Sequence, residues 1–539
     1  MSSQLAVSPI SLPNYLEARP GILSWLTTTD HKRIGVLYLA AMMPFFLMAA
    51  SFAVMFRLEL YSPGQQFLTN DQYNRLLTVH GVVMIFLFVI PSIPAVFGNF
   101  FLPILIGAED VAFPRINLMS WYCYMTGAIL ALISVAVGPP DTGWTFYVPY
   151  SVKTHPNVLL PMAAAFILGW SSILTGLNFV ATVHRLRAKA MGWFDMPLFV
   201  WSLYATGWVQ IVATPVIGIT LVMVLLERFL GVPIFDPARG GDPVLYQHMF
   251  WIYSHPAVYI MVLPAMGVVS EIIPTFSRKK IFGYRYIAFS SIAIASIGSL
   301  VWGHHMFTSG MADVARIVFS FLTFFVAVPS AVKVFNWLAT MYKGSVWLAP
   351  PMVWALMFIL LFSIGGLTGL INASLSLDVH LHDTAWVVSH FHFTMFGGTG
   401  VIFFAALHYW WPKVFGKMYN NTIAYLAAGI FFFGFLTTYL PLFFAGARGM
   451  PRRYADYLPE YEIYHKISTI GSWFLFASLL LMLGNLVYSL FKGKRAPISP
   501  WGGATLEWRT ATPPPSLNFD GEPDLSRGAY EYPEQVEHD

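Results

Sequence analysis

The chain has 539 residues, of which 57% are hydrophobic and only 10% are charged. Soluble domains typically carry charge on about 25% of their residues, so this composition predicts an integral membrane protein. The net charge of +4 is too small to favour nucleic acid as a partner. The single cysteine, Cys123, excludes an internal disulfide, a CxxCH haem attachment and cysteine-built iron–sulfur or dinuclear copper centres. Any electrons that the protein moves must therefore come from a partner.

Twelve apolar segments are long enough to cross a bilayer as helices. They lie at about 34–57, 80–106, 116–138, 158–183, 198–229, 246–273, 284–306, 315–341, 349–371, 385–411, 421–446 and 466–491. We therefore predict an all-α integral membrane protein, a bundle of twelve transmembrane helices. An even number of spans places both termini on one side. The connections on that side carry 16 lysines and arginines against 10 on the other, which predicts that both termini are cytoplasmic.

Three regions follow from this pattern. Residues 1–29 are polar and lack the charged-then-apolar pattern of a signal peptide, so they are predicted to be a cytoplasmic N-terminal segment. Residues 30–492 form the twelve-helix domain. Residues 493–539 are rich in proline, glycine and acidic residues, with no apolar period, and are predicted to be an extended cytoplasmic tail.

Span 10 carries two histidines, His390 and His392, one residue apart. An imidazole in lipid is costly unless it is paired or bound. Each residue of an α-helix turns by about 100°, so the two rings point to nearly opposite faces, about 200° apart. They cannot both bind one metal, but each can bind a cofactor on its own side. Span 10 is therefore predicted to separate two cofactors.

Six histidines share the outer third of the membrane in the predicted topology. A lone buried histidine is often only a hydrogen-bonded core residue, but chance placement would scatter six of them. They come from four spans: His80 from span 2, His255 from span 6, His304 and His305 from span 7, and His390 and His392 from span 10.

Three of these histidines are predicted to form one metal site. His304 and His305 are adjacent at a helix end, where a loosened last turn lets both rings reach one ion. His255 would complete a three-nitrogen site with an open position, which suits copper, zinc or iron and suits catalysis. Tyr259 follows His255 by four residues, so it lies one turn deeper on the same face, where a phenol can supply an electron and a proton.

Five motifs in order resemble subunit I of the haem–copper oxygen reductases, and most closely the aa-type cytochrome c oxidases. The similarity extends from His31 to the segment Pro500–Trp508. The motifs are WIYSHPAVY (Trp251–Tyr259), WGHHMFTSGM (Trp302–Met311), AVPSAVKVFNWLATMY (Ala327–Tyr342), LHDTAWVVSHFHF (Leu381–Phe393) and MPRRYADY (Met450–Tyr457).

The resemblance implies a role for each of the six histidines. His80 and His392 would be the axial ligands of a low-spin haem, haem a, and His390 the proximal ligand of a high-spin haem, haem a3. A copper ion, CuB, would be bound by His255, His304 and His305, with Tyr259 covalently cross-linked to His255.

The resemblance also assigns the polar groups around these cofactors. His382 and Asp383 would bind Mg²⁺ near the outer surface, shared with a second subunit. Arg452 and Arg453 would pair with haem propionates, which would explain basic residues on the outer side. Arg57 resembles the arginine that hydrogen-bonds the formyl group of haem a.

Reduction of oxygen at an outward-lying site needs protons from the inside. Lys333 lies in span 8 with Ser330 and Thr323 a turn or more away, and a lysine buried in a membrane suits a proton relay. In the family these positions match the K pathway, which ends at Tyr259. Snorkelling to the inner surface is the alternative.

Asp110, at the cytoplasmic end of span 2, matches the entrance of the family's second route, the D pathway. An ordinary loop carboxylate is the alternative. Its candidate companions are Asn99, Asn117 and Asn178.

The chain departs from the common family pattern at the inner end of the D pathway. Where many members have HPEVY, this chain has HPAVY, and Ala257 cannot carry a proton. Tyr253 and Ser254 just before His255 resemble the subclass in which a Tyr-Ser pair replaces the glutamate. Tyr253 lies four residues before Ala257, so its hydroxyl could reach the same space.

The implied function is the catalytic subunit of a terminal respiratory oxidase that reduces O₂ to water and pumps protons. The implied partners are cytochrome c as electron donor, subunit II with CuA and with or without a fused cytochrome c, subunit III, small subunits and the lipid membrane. No nucleic acid is expected. The implied location is the bacterial inner membrane.

Three alternatives stay open. A quinol oxidase of the same fold carries a His and a Gln in the stretch leading into span 2, where this chain has Gln72 and Arg75. A nitric oxide reductase shares the six histidines but uses iron with added glutamates and lacks the tyrosine. A twelve-span transporter would predict inverted repeats and broken helices at the midplane.

Overall fold

The structure, a computed structural model, describes residues 13–532. Within this range twelve helices are long and apolar enough to cross a membrane, which confirms the predicted bundle. Spans 1 to 12 are His31–Glu59, Asn70–Leu105, Pro114–Val137, Leu159–Arg185, Leu198–Leu230, Pro243–Ser277, Tyr284–Met306, Asp313–Met341, Pro350–Ala373, Ala385–Phe415, Asn421–Ala447 and Pro459–Lys492.

Span 2 begins ten residues earlier than the hydropathy pattern predicts, at Asn70 rather than at residue 80. Its first turn is polar, and a capping box between Thr69 and Gln72 starts the helix there. His80 therefore lies about 15 Å from the start of the helix, at 1.5 Å per residue, and not at its outer end as we predicted.

Four spans change helix type or break in their interior. A local π-helical or 3-10 stretch turns side chains away from the regular α-helical spacing and often marks a functional site. Span 2 runs as Asn70–Val82, the π-helical Val83–Val89 and Ser92–Gly98, and then Asn99–Leu105; span 7 as Tyr284–Gly298 and the 3-10 turn Trp302–Met306; span 8 as Asp313–Phe325 and Ala327–Met341; span 10 as Ala385–Phe391, the π-helical His392–Gly400 and Val401–Phe415.

Span 6 is the most deeply packed of the twelve. In its most apolar window 89% of the residues are buried inside the protein, compared with 11% for span 8. Span 6 therefore lies at the centre of the bundle, and span 8 presents most of its surface outward.

The remaining elements are short. The α-helices are Ile22–Leu26, Tyr150–Lys153 and Leu375–Leu381; the 3-10 turns are Trp193–Asp195, Pro237–Arg239 and Leu506–Trp508; the strands Lys417–Met418 and Lys494–Arg495 pair antiparallel.

The C-terminal segment 493–532 has little regular structure, as predicted, but it packs against the bundle instead of extending from it. The indole of Trp501 donates to the Tyr409 carbonyl at 2.8 Å, and that of Trp508 donates to the Tyr409 hydroxyl at 2.9 Å. Both tryptophans are buried. Composition missed this packing because the apolar anchors are sparse among polar and proline residues. The predicted terminal segments 1–29 and 493–539 lie outside the described residues at 1–12 and 533–539.

Candidate functional site

One cavity of ≈ 1090 Å³ runs between the spans. Small-molecule sites typically enclose about 300–1,000 Å³, so this cavity is large enough for a bulky prosthetic group or more than one. The structure brings all six predicted histidines to its wall, together with most of the other predicted site residues. Its lining includes His80, His255, His304, His305, His390, His392, Tyr253, Ser254, Tyr259, Arg57, Arg452, Arg453, His382, Asp383, Thr323 and Ser330.

His80 and His392 are held in the same way. Nδ1 of His80 lies 2.8 Å from the Ala49 carbonyl oxygen, and Nδ1 of His392 lies 2.8 Å from the Val388 carbonyl oxygen. A carbonyl only accepts, so each Nδ1 carries the hydrogen and each Nε2 keeps its lone pair. Metal-binding histidines are typically oriented by a hydrogen bond of this kind. Both rings are thus prepared to bind a metal through Nε2.

His390 meets different neighbours from those of His392. Its Nδ1 lies 3.1 Å from the Thr368 hydroxyl of span 9, which itself donates to span 9 carbonyls. His390 therefore donates through Nδ1 and keeps the Nε2 lone pair. The ring of His392 instead stacks on Tyr439 of span 11, with centroids 4.3 Å apart. His390 therefore faces span 9 and His392 faces span 11.

A glycine in span 9 lets the helix approach His390. A Cβ added at Gly369 would stand 3.2 Å from Cε1 of the imidazole, closer than most Cβ contacts. Any larger residue at this position would push the ring away from Thr368. The hydroxyl and the missing side chain together fix where the Nε2 lone pair points.

Three imidazoles meet on the other side of the cavity. Nε2 of His305 lies 3.0 Å from Nδ1 of His255 and 3.1 Å from Nε2 of His304. These nitrogens form the one group in the described chain with the spacing of a three-ligand metal site. Two nitrogens bound to one ion at about 2.0–2.1 Å stand at comparable separations, so the donor set fits a metal.

The orientation of this group comes from its neighbours. The 3-10 turn Trp302–Met306 replaces the last α-helical turn of span 7, so adjacent histidines can both face His255, as predicted. Trp251 stacks on His305 with ring centroids 3.7 Å apart. Nδ1 of His304 donates to the Thr323 hydroxyl at 3.1 Å, since that hydroxyl donates to the Phe319 carbonyl. Thr323 thus orients one histidine of the three-nitrogen group, a role that sequence reasoning did not assign to it.

Tyr259 lies against His255 in span 6. Their ring centroids are 4.9 Å apart, and the Nε2 of His255 is buried without a hydrogen-bond partner among residues 13–532. Gly298 leaves room for the phenol, because a Cβ there would come within 2.5 Å of the Tyr259 ring. The metal group and the phenol therefore form one unit.

Arg57 is buried beside His80 and His392 on the cavity wall. Its guanidinium donates to the His465 carbonyl at 3.0 Å, and its Nε has no partner in the described chain. His465 of span 12 stacks on Tyr457 and also lines the cavity. Sequence reasoning missed His465, because a single histidine near a span end carries no distinguishing pattern.

Arg452 and Arg453 lie in the connection between spans 11 and 12 and line the cavity. Arg452 donates through Nε to Asp383 at 2.7 Å. Burial alone would raise the pKa of the Asp383 carboxyl, but the nearby positive charges, that of Arg452 foremost, and the hydrogen bond from Arg452 together lower that pKa. Desolvation, together with repulsion from Arg452, lowers the pKa of Arg453 to about 10. A desolvated guanidinium of this kind favours an anionic partner such as a carboxylate.

His382 and Asp383 have different hydrogen-bond partners. Nδ1 of His382 lies 3.0 Å from the Asp378 carboxylate, whereas Asp383 pairs with Arg452. The positive φ of 56° at Asp383 turns its carboxylate toward that arginine. Asp378 was missed because its spacing from His382 is that of any helical i,i+4 pair.

Lys333 is buried in span 8 and turns toward span 7. Its ammonium donates to the Ser291 hydroxyl at 2.7 Å and to the Ile287 carbonyl at 3.1 Å. Ser330, which we predicted as its companion, instead donates to the Val326 carbonyl at 2.9 Å. A contact between two spans cannot be inferred from spacing within one of them, so Ser291 was missed.

Asp110 lies in the loop between spans 2 and 3, and the three asparagines lie in spans 2, 3 and 4. The side chains of Asn99, Asn117 and Asn178 are fully buried. Asn178 bonds the Phe113 backbone through both amide atoms, at 2.9 and 3.2 Å, while both amide atoms of Asn117 lack a partner within residues 13–532. Buried polar groups without protein partners commonly hold ordered water.

Tyr253 and Ser254 line the cavity beside His255, and Ala257 lies on the same wall. The Ser254 hydroxyl is buried and has no hydrogen-bond partner in the described chain. Ser254 and Tyr253 lie three and four residues before Ala257 in the same span.

The residues present fit two haem irons and one further metal. His80, His390 and His392 each offer Nε2 to the cavity, His255, His304 and His305 offer a three-nitrogen site, and arginines stand where carboxylates would be bound. Twelve spans around this group define a membrane-bound metalloenzyme.

Comparison with known proteins identifies the class. The family described as cytochrome c and quinol oxidase polypeptide I matches residues 33–474. A relative from Synechocystis named cytochrome c oxidase subunit 1 is 43% identical over 504 residues, covering 93% of this chain and 91% of the relative. Relatives of the same name from Thermostichus vulcanus and Bacillus sp. PS3 are 40% and 42% identical and cover 97% and 94% of this chain, and 95% and 83% of the relatives.

A solved structure shares the fold. It is described as a haem–copper terminal oxidase dimer, and it superposes with a TM-score of 0.76 over 87% of this chain and 86% of that one, at 21% identity. The chain therefore belongs to the haem–copper oxidase subunit I family. It is a multi-pass membrane oxidoreductase, the catalytic subunit of a terminal oxidase, and membership implies haem and CuB as cofactors and association with other subunits.

Proposed function

We propose that the chain reduces O₂ to water with electrons from cytochrome c and couples this reaction to proton pumping. The observation that carries the proposal is the position of Tyr259, whose ring lies 4.9 Å from that of His255 inside the cavity shared with His390. A phenol at this place can give up a proton and an electron where oxygen must be cleaved.

The six histidines would hold the cofactors in three sets. His80 and His392 would bind a low-spin haem a, His390 a high-spin haem a3, and His255, His304 and His305 CuB. When bound, the high-spin iron and the copper supply the redox chemistry of oxygen reduction. The protein fixes the tautomer and the direction of four of the imidazoles through hydrogen bonds to Ala49, Val388, Thr368 and Thr323.

We further propose the covalent bond between His255 and Tyr259. Support comes from the unpartnered Nε2 of His255 next to the phenol ring. Bond formation replaces one hydrogen on each ring, and oxygen accepts the two electrons and two protons. Mass spectrometry of the peptide that carries both residues would show a mass lower by two hydrogens. An unmodified peptide from active enzyme would exclude the bond.

The charged and polar residues on the cavity wall support the remaining proposed ligand contacts. Arg57, with a free Nε on the cavity wall, would bind the formyl group of haem a, and Arg452 and Arg453 would bind propionates. His382 and Asp383 would bind Mg²⁺ together with a residue of the second subunit. Since Mg²⁺ usually keeps several waters, two ligands from this chain are compatible with such a site.

Protons for the K pathway would pass Lys333 and Ser291. Ser291 and Gly298 are seven residues apart in the sequence of span 7, two helical turns on one face. Lys333 bonds Ser291, and Tyr259 packs over Gly298. This face of span 7 therefore leads from the buried ammonium to the phenol, with Thr323 and Ser330 on the cavity wall beside it.

Protons for the D pathway would enter at Asp110 and pass the buried asparagines to Tyr253 and Ser254. The unpartnered Ser254 hydroxyl and Asn117 amide support a water-filled route. A Tyr253→Phe enzyme should retain oxygen reduction but pump fewer protons per electron in liposomes. Normal pumping by that variant would exclude the Tyr-Ser route.

Cytochrome c is favoured over quinol as donor by the names of the relatives and by the start of span 2. Gln72 there closes the capping box with Thr69, and Arg75 pairs with Asp71 at 2.8 Å. Both side chains therefore stabilise the first turns of span 2. The electrons would arrive through a CuA-bearing subunit II, with or without a fused cytochrome c. The complex would also contain subunit III and small subunits and would lie in a bacterial inner membrane, with both termini of this chain cytoplasmic.

Oxygen uptake by the purified complex tests the proposal. Reduced cytochrome c should support rapid uptake inhibited by cyanide, and a quinol should not; liposomes should acidify outside during turnover. Uptake with quinol alone would establish a quinol oxidase, and reduction of nitric oxide without oxygen uptake would establish the third candidate.

A further inference from the structure

The C-terminal segment places one fully buried side chain, Asn518, against the proposed proton entrance. Asn518 has a positive φ of 69°, a conformation that asparagine and glycine adopt more readily than other residues. Thr510 fixes the local turn by donating to the Asn518 carbonyl at 2.5 Å. The side chain is thereby directed away from the segment and into the bundle.

The amide of Asn518 joins the start of span 1. Nδ1 of His31 donates to the Asn99 carbonyl at 2.7 Å, so its Nε2 accepts, and the Asn518 NH₂ lies 2.9 Å from it. The Asn518 Oδ1 accepts from the Lys32 ammonium at 2.7 Å. Lys32 is also held by the Ser516 carbonyl at 2.9 Å.

The same amide also joins the loop that carries Asp110. Its NH₂ donates to the carbonyls of Ala108 at 2.8 Å and Glu109 at 3.1 Å, the two residues just before Asp110. One side chain therefore connects span 1, the loop after span 2 and the C-terminal segment.

The pKa of the Asp110 carboxyl depends on groups that Asn518 holds in place. Burial raises the pKa of the Asp110 carboxyl to about 7, the backbone of His31 and Val111 lowers it by hydrogen bonding, and the charges that face it are Asp30, which raises it, and Lys32, which lowers it. Displacement of Lys32 would therefore raise this pKa further.

We propose that Asn518 is a positioning residue for proton uptake, because it fixes Lys32 and the 108–110 loop around Asp110. This inference rests on the proposed function, in which Asp110 receives protons for oxygen reduction. The C-terminal segment then governs the rate of proton entry without touching any cofactor.

The test compares Asn518→Gly with the wild-type complex. Glycine accepts the positive φ, so this variant removes the amide without straining the backbone. We expect turnover to fall about tenfold, because the loss of a hydrogen bond to a charged group lowers the population of the arrangement with Lys32 in place by about that factor or more. The pH midpoint of turnover that belongs to Asp110 should move to higher pH. Asn518→Asp, which sets a carboxylate against two carbonyls and near Asp110, should move it further in the same direction.

Three controls keep the result interpretable. Ser516→Ala should leave turnover and the midpoint unchanged, since Ser516 holds Lys32 only through its backbone. Trp508→Phe removes the bond to Tyr409 and loosens the same segment elsewhere, and it should not move the midpoint. Asp110→Asn identifies the limb of the profile that belongs to Asp110, because that limb should disappear. Visible spectra confirm cofactor content in each variant.

The outcomes separate the two proposals. A normal rate and midpoint in Asn518→Gly, with loss of turnover in Asp110→Asn, would overturn the role of Asn518 and leave the entrance intact. An equal effect of Trp508→Phe would show that docking of the whole segment matters and not this amide, and would also overturn it. Normal turnover in Asp110→Asn would remove the proposed entrance itself.

Discussion

Tyr259 lies one helical turn from His255, and their rings meet at 68° with centroids 4.9 Å apart. The phenol thus sits at the edge of the three-histidine group, with Gly298 opposite. Both residues belong to span 6, the most deeply packed span, and both line the central cavity. This relation connects the three-histidine group to the proposed proton route.

Replacement of Tyr259 by phenylalanine should lower oxygen reduction at least about 100-fold, the lower range of what a positioned proton donor contributes. The ring is retained and only the hydroxyl is lost, so the visible spectrum of the haems should not change. Tyr246→Phe is the matched control in span 6, because the Tyr246 hydroxyl donates only to the Thr145 carbonyl, at 2.7 Å. Stopped-flow oxygen reduction measures both. Near-normal turnover in Tyr259→Phe would refute the role of the phenol.

The histidines of span 10 should be separable by spectroscopy. His392→Asn should remove the low-spin haem signal, and His390→Asn should remove the signal that responds to carbon monoxide, because the two rings have different neighbours. His408→Asn is the control: His408 is buried in the same span and its Nδ1 donates to the Phe404 carbonyl at 2.7 Å, but it does not line the cavity. Loss of both signals together in both ligand variants would argue against a span that separates two cofactors.

Lys333→Met should lower turnover about 100-fold, because the only ammonium at the Ser291 contact is lost from the proposed relay. Ser291→Ala should have a smaller effect in the same direction, since Lys333 keeps the Ile287 carbonyl. Lys343→Met makes the same substitution at an exposed lysine just after span 8 and should be silent. If Lys333→Met reduces its haems and turns over normally, the K pathway does not run through this residue.

The buried carboxyl of Glu507 should make the stability of the folded protein depend on pH. It is fully buried beneath spans 6 and 10, accepts from the Trp410 indole at 3.3 Å, and burial raises its pKa above the ordinary 4.5. Since the unfolded chain loses this proton at lower pH than the folded one, stability should fall as pH rises above about 4.5. Glu507→Gln imitates the protonated form, so the difference in thermal unfolding temperature between variant and wild type should increase with pH. A pH-independent difference would show that Glu507 titrates normally.

The spans and the six histidines could be predicted because their signals are local. Hydropathy marks each span. The relative directions of two histidines follow from their spacing when they are adjacent at a helix end, as His304 and His305 are, or alternate within a helix. Contacts between distant segments could not be predicted. Lys333 meets Ser291 and not Ser330, Asp383 meets Arg452 and not His382, and Asn518 meets span 1. The early start of span 2 was missed because its first turn is polar.

The most direct test of the whole account is a visible difference spectrum of the purified complex, dithionite-reduced with and without carbon monoxide, alongside metal analysis. The account predicts two haems per chain, of which one binds carbon monoxide beside a copper ion. A preparation without porphyrin, or one in which both haems bind carbon monoxide, would contradict it.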